Sequence, residues 1–237
     1  MMNLNAITVQ FGGLTALKGV SLSIGAEEVV GLVGPNGAGK TTLFNVISGL
    51  VRPTGGAASF NGANVLTTPM YKRARMGIGR TFQIPQPMHE LTVRQNLLVA
   101  QRFGTGSVNL AKIDEILAFL HLTDKADRDA AQDLSLSELK ALEVGKALAT
   151  APKLLLLDEV LAGLETTSKR AFMKTLIELH RVYRISILII EHDIETISTL
   201  CPRVCVLNYG QLIADGTPQE VFSNAEVIKS YTGGGHD

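Results

Sequence analysis

The sequence predicts an α/β fold with a mostly parallel β-sheet, and three observations carry this prediction. A glycine-rich stretch at residues 34–42 lies between an apolar, strand-like run at 29–33 and a helix-like pattern. Residues 154–157 are all leucine, as expected for a central strand that is buried on both faces. Strand-like and helix-like segments then alternate as far as residue 215. Such alternation predicts parallel strands in one sheet, with a ligand bound at their carboxyl ends.

Length and composition limit the class of protein. The chain has 237 residues, enough for one large domain, alone or with a subdomain. The charges balance, with 22 Lys and Arg against 22 Asp and Glu, so no global field favours nucleic acid or an anionic membrane. No apolar run approaches the roughly 18 residues of a transmembrane helix, and no signal-peptide pattern is visible. We therefore expect a soluble cytoplasmic protein in which Cys201 and Cys205 are buried free thiols.

The first third of the chain is expected to hold short strands around the glycine-rich stretch. Residues 3–9 and 21–30 alternate or run apolar as strands do, and a turn at residues 11–13 follows the first of them. Apolar residues at helical spacing between 43 and 50 predict a helix after the glycine-rich stretch. Further predicted elements are strands at 57–61 and 78–82, a hairpin turn at 61–62, and a short basic helix from Pro69 to Gly77.

The strand signal is lost from residue 84 to residue 150, which predicts a helical subdomain inserted into the α/β core. We expect a single domain over 1–237, with a nucleotide-binding core at 1–83 and 151–237. The predicted helices are at about 91–101, 109–121, 137–150, 166–182, 218–222 and 225–231. The later predicted strands are at 153–158, 186–191, 204–207 and 211–215. The glycine-rich tail at 233–235 is expected to be disordered.

The glycine-rich stretch reads G-x-x-x-x-G-K-T, which predicts a phosphate-binding loop. Glycines let backbone N–H groups surround an anion, and the start of the following helix adds the positive end of a dipole. Lys40 is expected to reach the β- and γ-phosphates, and the Thr41 hydroxyl to ligate Mg²⁺. A dinucleotide-binding loop is disfavoured by the glycine spacing and the lysine. The predicted nucleotide-binding residues are Gly34, Asn36, Gly37, Ala38, Gly39, Lys40, Thr41 and Thr42.

Two carboxylates follow the apolar strand at 154–157 and form the second candidate element of the site. In phosphate-loop NTPases an acidic residue at a strand end holds Mg²⁺, and Asp158 occupies that place. Glu159 is then positioned to orient or deprotonate the attacking water as a general base. A solvated acidic turn is the alternative for either residue alone, and the lysine loop argues against it.

Several stretches along the chain together resemble one family. They are GPNGAGKTTLFNVISGL (34–50), GIGRTFQ (77–83), LTVRQNLLVAQ (91–101), LLLLDE (154–159), AGLE (162–165), LIIEHD (188–193) and GTPQEVFSNAEVIKSY (216–231). Their order and spacing resemble the nucleotide-binding subunits of ABC transporters over essentially the whole chain. The sequence looks most like the pair of ATPase subunits that serve high-affinity branched-chain amino acid importers. The resemblance implies an ABC-type phosphate-loop core with an antiparallel β subdomain and an inserted helical subdomain.

The resemblance also implies roles for single residues. Gln83 matches the glutamine that contacts Mg²⁺ and the attacking water, and His192 matches the histidine that contacts the γ-phosphate. Phe11 aligns with the aromatic residue that stacks on adenine, where tyrosine is commoner. The implied catalytic residues are thus Glu159, His192 and Gln83, and the implied metal ligands are Thr41, Gln83 and Asp158.

The sequence departs from the family at its signature, Leu-Ser-Gly-Gly-Gln, which should fall at residues 134–138. Ser135 is kept, but Leu136, Ser137 and Glu138 replace both glycines and the glutamine. In the family this loop contacts the γ-phosphate bound to the opposite subunit. Added Cβ atoms and a carboxylate there predict a weakened contact. Ser135 and Glu138 also form a capping-box pattern, so the alternative is that the segment only caps a helix.

The resemblance implies ATP and Mg²⁺ as cofactors and an ATPase that drives an importer for branched-chain amino acids or a related small polar solute. Implied partners are a second ATPase subunit, with a heterodimer favoured, membrane permease subunits, and indirectly a solute-binding protein, but not nucleic acid. The implied location is peripheral, on the cytoplasmic face of the inner membrane. Residues 84–88 are the expected permease contact, and Lys72, Arg73, Arg75 and Arg80 are expected to form a solvated face, or more weakly to lie near lipid headgroups.

Three alternatives stay open or are disfavoured. A cassette for urea, amides or aromatic acids would have a similar sequence. A weakly hydrolysing regulatory subunit is favoured by the degenerate signature and opposed by the intact Glu159 and His192. A soluble ABC ATPase that acts on nucleic acid or ribosomes would have tandem cassettes, a coiled-coil insertion or a basic surface, none of which this sequence contains.

Overall fold

The computed structural model describes residues 1–232, and the chain divides into two compact units. The first unit comprises Met1–Arg73 and the chain from Ser186 onward, and the second comprises residues 74–185. The tail at 233–235, which we expected to be disordered, lies outside the described residues. Over the described part of the chain, no helix has the length and apolar character needed to cross a membrane. The domain boundaries that we inferred from the sequence stay a prediction.

The secondary structure alternates between strands and helices after an initial β-rich stretch. The strands are β1 (Met2–Phe11), β2 (Leu14–Ile24), β3 (Val29–Val33), β4 (Gly55–Phe60), β5 (Ala63–Asn64), β6 (Ile78–Arg80), β7 (Leu154–Asp158), β8 (Ser186–Ile190), β9 (Arg203–Asn208) and β10 (Gln211–Gly216). The α-helices are α1 (Lys40–Ser48), α2 (Met70–Met76), α3 (Val93–Thr105), α4 (Leu110–Phe119), α5 (Leu136–Ala149), α6 (Thr166–Tyr183), α7 (Ile194–Leu200), α8 (Pro218–Ser223) and α9 (Ala225–Thr232). The fold class is therefore the mixed α/β class that the sequence predicts.

The first unit contains an antiparallel sheet in the order β2-β1-β4-β5. The predicted strand at 21–30 is wrong, because two strands meet there: β2 ends at Ile24 and β3 begins at Val29. A carboxylate closes the turn between them, since the backbone N–H of Gly25 donates to Oε2 of Glu28 at 2.6 Å. Apolar character on both sides of this short turn concealed it in the sequence.

The parallel strands of the first unit are buried. β3 pairs in parallel with β8 on one side and with β9 on the other, and β10 pairs antiparallel with β9. Every residue of β8 is buried, which explains its unbroken apolar sequence. Cys201 and Cys205 are buried free thiols, as expected, and burial raises the pKa of both, that of Cys201 to about 12. The carboxyl end of β3 leads directly into the glycine-rich loop.

The second unit combines two parallel strands with packed helices. β6 pairs in parallel with β7, whose five residues are all buried, as the run of leucines predicts. The predicted helices of this region are present with shifted ends, and α3 continues to Thr105 through the expected loop at 103–107. Helix α5 packs closely on α3, since a Cβ added at Gly145 would lie 3.0 Å from the Leu97 side chain. This packing fixes the helix that follows the signature segment.

The predicted solvated basic face is wrong for two of its four residues. Lys72 and Arg75 are exposed. Arg73 is only 2% exposed, and its guanidinium donates to backbone carbonyls at the end of α1, those of Val46 at 2.6 Å and Ile47 at 2.9 Å. The Arg80 side chain is 5% exposed and pairs with an acidic residue described below. Both arginines therefore satisfy internal acceptors and do not contribute to a surface for lipid.

Candidate functional site

The conformation of the glycine-rich loop requires glycine at two positions in the first unit. Gly34 has a φ of 147°, and a Cβ there would lie 2.0 Å from the carbonyl oxygen of Leu207. Gly39 has a φ of 106°, and its Cβ would lie 2.8 Å from the carbonyl oxygen of Ala16. Both positions combine a left-handed backbone with close contact to a neighbouring strand or turn. The sequence pattern thus has a direct steric cause.

Backbone hydrogen bonds connect the loop to two neighbouring elements. The backbone N–H of Gly210, in the turn between β9 and β10, donates to the carbonyl of Ala38 at 2.9 Å. The carbonyl of Gly210 in turn accepts from the N–H of Lys18 on β2 at 2.8 Å. The loop is therefore connected to β2 through the turn. These contacts fix the loop that leads into the start of α1.

The start of α1 is built to receive an anion. The N–H of Leu43 donates to the carbonyl of Gly39 at 2.9 Å, which is a bond of the first helical turn. The first N–H groups of an α-helix point toward its N-terminus, where an anion can accept from them. No side chain caps this terminus, and its first turn has no acidic residue. Lys40 is 6% exposed, and its ammonium donates to the carbonyls of Gly34 at 2.6 Å and Pro35 at 3.0 Å. A triphosphate fits this cradle of N–H groups, a helix dipole and a cation.

Two further predicted residues of the first unit lie at strand ends and are accessible. Phe11 ends β1 and is 51% exposed, so it is not a core residue. His192 follows β8 and is exposed, one residue before Asp193, which caps α7. Exposure at these positions is compatible with stacking on a base and with contact to a phosphate. Their roles stay predictions.

Asp158 forms a buried ion pair within the second unit. Its side chain is 6% exposed, and Nη2 of Arg80 donates to Oδ2 of Asp158 at 3.2 Å. Burial raises the pKa of the Asp158 carboxyl, and the charge and hydrogen bond of Arg80 oppose that rise. Burial likewise lowers the pKa of Arg80. A cation therefore already neutralises Asp158, and its carboxylate oxygen is a chemically suitable Mg²⁺ ligand.

Glu159 and Gln83 are brought together from positions 76 residues apart. Nε2 of Gln83 donates to Oε2 of Glu159 at 2.6 Å. Glu159 has a φ of 49°, a left-handed conformation that is uncommon for glutamate and is often found at functional sites. The hydroxyl of Thr41, the amide oxygen of Gln83 and the carboxylate of Asp158 are all hard oxygen donors, which is the donor type that Mg²⁺ prefers. Each of these groups thus has the chemistry that the predicted metal requires, and their joint role stays a prediction.

The signature segment begins α5 with the predicted capping box. The Ser135 N–H donates to Oε2 of Glu138 at 2.8 Å, and the Glu138 N–H donates to the Ser135 hydroxyl at 3.4 Å. Burial acts to raise the pKa of Glu138, but the hydrogen bonds from Ser135 and the charge of Lys125 hold it below its ordinary value. Glu138 therefore caps its own helix as a carboxylate. The role of Ser135 toward a nucleotide stays a prediction.

Sequence reasoning missed two cations beside the candidate catalytic residues. Arg80 was assigned to the surface, although its position in a short strand next to apolar residues signals burial. The second cation is Lys140, whose Nζ donates to the carbonyl of Glu159 at 3.0 Å. Its signal in the sequence is a charged residue directly between two apolar residues, Leu139 and Ala141, within the helix.

Comparison with known proteins places the chain among relatives of similar length. A family profile described as "ABC transporter" matches residues 17–162, and one described as "Branched-chain amino acid ATP-binding cassette transporter" matches residues 211–237. The high-affinity branched-chain amino acid transport ATP-binding protein BraF of Pseudomonas aeruginosa is 34% identical, over 98% of both chains. The corresponding protein LivG of Salmonella typhimurium is 36% identical, again over 98% of both chains.

Solved structures agree with the sequence relatives. The ADP conformation of MJ1267, an ATP-binding cassette of an ABC transporter, matches with a TM-score of 0.87 and 32% identity over 98% of both chains. A nucleotide-free ATP-binding cassette from an ABC transporter matches with the same TM-score and identity. The match spans the phosphate loop, the strand that ends in Asp158, and the signature helix. The chain belongs to the ABC transporter family of ATP-binding cassettes.

Proposed function

We propose that this chain is an ATP-binding and hydrolysing subunit of an importer for branched-chain amino acids or a related small polar solute. The observation that carries the proposal is the hydrogen bond of 2.6 Å between Gln83 and Glu159, which accompanies an intact phosphate loop. This pair is a carboxylate and an amide that can orient and deprotonate a water molecule. The names of the sequence relatives support the class of solute.

The residues of this chain have distinct proposed roles toward Mg²⁺–ATP. Lys40 and the N–H groups of residues 37–42 bind the phosphates, and Phe11 stacks on the adenine. Thr41, Gln83 and Asp158 hold Mg²⁺, which when bound neutralises the phosphate charge. Glu159 accepts a proton from the attacking water, and His192 contacts the γ-phosphate. Arg80 balances the charge of Asp158 before metal binds.

The proposed assembly contains a second ATPase subunit, membrane permease subunits and, indirectly, a solute-binding protein. Its place is the cytoplasmic face of the inner membrane, with this chain peripheral. A heterodimer is favoured because the signature that this chain offers is degenerate. In such a dimer the two nucleotide sites are unequal, and the signature of the partner subunit covers the phosphate loop of this chain.

The contacts at the start of α5 support a weakened signature. Leu136 is 44% exposed at the first helical position, so its side chain occupies space that glycine would leave open. The Ser135 hydroxyl is already engaged by Ser137 at 3.1 Å and by Glu138 at 2.8 Å. The Glu138 carboxylate adds a negative charge where a phosphate would approach. Each feature disfavours close contact with a γ-phosphate.

Replacing Leu136 and Ser137 together with glycine tests the weakened signature in the reconstituted complex. We expect a higher ATPase rate or tighter nucleotide binding, because the backbone then reaches the phosphate. The matched control changes the same two residues to alanine, which keeps both Cβ atoms and should leave the rate near that of the wild type. Equal rates for the glycine and alanine pairs would contradict the hypothesis.

Uptake assays in vesicles test the class of solute. The complex is purified with its own permease and binding protein, and uptake of labelled leucine, urea and an aromatic acid is compared with and without ATP. Uptake of leucine that requires ATP supports the proposal. Uptake of urea, an amide or an aromatic acid in place of leucine would show that the proposed class of solute is wrong. The proposed ATPase role would be unaffected. A cassette that binds ATP but supports no uptake would favour the regulatory alternative.

A further inference from the structure

Helix α5 carries charged side chains along a stripe that faces the interior. Lys140, Glu143 and Lys146 follow one another at intervals of three residues, so they lie along one side of the helix. Lys140 is 3% exposed and Glu143 is 4% exposed, so both charged residues are buried among the helices of this unit. Burial of a charge is costly unless the group is paired or hydrogen-bonded. The stripe therefore calls for specific partners in the second unit.

Lys140 connects the backbones of the two candidate catalytic residues. Its Nζ donates to the carbonyl oxygen of Gln83 at 2.8 Å and to that of Glu159 at 3.0 Å. The side chains of Gln83 and Glu159 are themselves joined by a hydrogen bond of 2.6 Å. One buried ammonium group thus bonds to the backbones of two residues whose side chains would act on water.

The backbone of Glu159 needs such support. Its φ of 49° is a left-handed conformation, which is strained for a residue other than glycine. The Glu159 carbonyl also accepts from the N–H of Ala162 at 3.2 Å, which closes the turn after β7. Lys140 therefore supplies a charge-assisted second bond to the carbonyl of a strained residue.

The other two members of the stripe hold a different residue. Oε1 of Glu143 accepts from the N–H of Gln86 at 2.8 Å, and Nζ of Lys146 donates to the Gln86 carbonyl at 2.6 Å. Lys146 and Glu143 also pair with each other at 2.5 Å. This pair secures Gln86, three residues beyond Gln83. Lys146 consequently offers a control for Lys140 on the same helix.

We propose that Lys140 is a positioning residue for ATP hydrolysis. It keeps Glu159 and Gln83 in place relative to each other by donating to their carbonyl groups. The inference rests on the proposed role of Glu159 as general base. Lys140 acts through these two residues. Loss of its ammonium is thus expected to lower kcat and leave the affinity for nucleotide unchanged. Replacement of a residue that is needed only for folding would instead change kcat, nucleotide affinity and the melting temperature together.

Hydrogen exchange of the full-length chain tests the backbone contacts without any hydrolysis. In Lys140→Met we expect exchange of the Ala162 amide to accelerate at least tenfold, because the turn at Glu159 loses its second bond. In Lys146→Met we expect the Gln86 amide to accelerate and the Ala162 amide to stay within twofold of the wild type. If the Ala162 amide responds equally in both variants, or in neither, the proposal is overturned.

ATPase kinetics of the assembled complex test the consequence for catalysis. We expect kcat to fall at least tenfold in Lys140→Met, with KM and the dissociation constant of a fluorescent ATP analogue within twofold of the wild type. Lys140→Arg keeps the charge and can reach both carbonyls, so it should restore most of the rate. An unchanged kcat in Lys140→Met contradicts the proposal, as does a kcat loss that Lys140→Arg fails to reverse.

The outcomes separate this inference from the proposed function. If the wild-type complex hydrolyses no ATP, the proposed function fails, whereas the exchange experiment still decides whether Lys140 holds Glu159. If Lys140→Met does not fold, Lys140→Gln replaces it, since its shorter neutral side chain cannot serve both carbonyls as a charged donor. The same exchange and kcat criteria then apply.

Discussion

Arg73 provides a quantitative test of how the end of the phosphate-loop helix is stabilised. Its guanidinium is buried and donates to the carbonyls of Val46 at 2.6 Å, Thr68 at 2.8 Å and Ile47 at 2.9 Å. Two of these acceptors lie in the last turn of α1, where the helix dipole favours a cation. Burial lowers the pKa of Arg73, but arginine stays charged at neutral pH. Replacing it with methionine keeps the volume and removes every donor.

The expected cost follows from these contacts. Each hydrogen bond to a charged group contributes about 1.5–3 kcal/mol. Part of this loss is offset, because the variant no longer has to remove a guanidinium from water when it folds. We therefore expect Arg73→Met to lower the free energy of unfolding by about 3–5 kcal/mol. For a chain of this size the melting temperature should fall by roughly 6–20 °C, because each kcal/mol corresponds to about 2–4 °C.

Thermal unfolding followed by circular dichroism measures this change. Lys72→Met is the matched control, since Lys72 is the exposed neighbour on the same helix and should alter stability by less than about 0.5 kcal/mol. Melting temperatures of the two variants within about 2 °C of each other would refute the reasoning. The buried hydrogen bonds of Arg73 would then stabilise the fold no more than hydrogen bonds to water do.

Two further predictions concern the phosphate loop and an ion pair. Gly34→Ala should weaken ATP binding at least tenfold in a fluorescence titration, because its Cβ would overlap the Leu207 carbonyl at 2.0 Å. The control Gly62→Ala, at an open left-handed turn, should bind ATP as the wild type does. Arg203 donates two hydrogen bonds to Asp215 and holds the pKa of that carboxyl below its ordinary value. This contribution is present above the unfolded pKa of about 3.9 and is lost as pH falls through the lower folded pKa. The urea midpoint of Asp215→Asn should therefore lie below that of the wild type at pH 7 and approach it below pH of about 4, whereas a gap that is independent of pH would rule out the ion pair as its cause.

The sequence alone was sufficient to predict a helix or loop boundary wherever a particular residue type sets that boundary. Pro69 predicted the start of α2, and Ser135 with Glu138 predicted the start of α5 through a capping box that the structure contains. The G-x-x-x-x-G-K-T pattern likewise predicted a loop between β3 and α1, since two of its glycines have positive φ and no room for a Cβ. Such features depend on neighbours within a few residues and are readable without the fold.

Features that depend on distant partners were missed. The helix α7 was not expected, because its seven residues are mostly polar and only the Asp193 cap marks its start. Burial of Arg73 could not be foreseen, since its acceptors at Val46 and Ile47 lie more than 25 residues away, at separations of 27 and 26. The contact between Gln83 and Glu159 spans 76 residues and was suggested only by resemblance to a family. Sequence patterns named the chemistry of the site, and the fold supplied its contacts.

The central claim is that Glu159 is the general base of an ATPase, and Glu159→Gln tests it most directly. Glutamine keeps the shape of the side chain and can still bond to Gln83, but it cannot accept a proton. In the reconstituted complex we expect ATP turnover to fall by about 10²–10⁴-fold while ATP stays bound, and the surface variant Glu178→Gln should turn over at the wild-type rate. Turnover in Glu159→Gln close to that of the wild type, with no trapped ATP, would contradict the account.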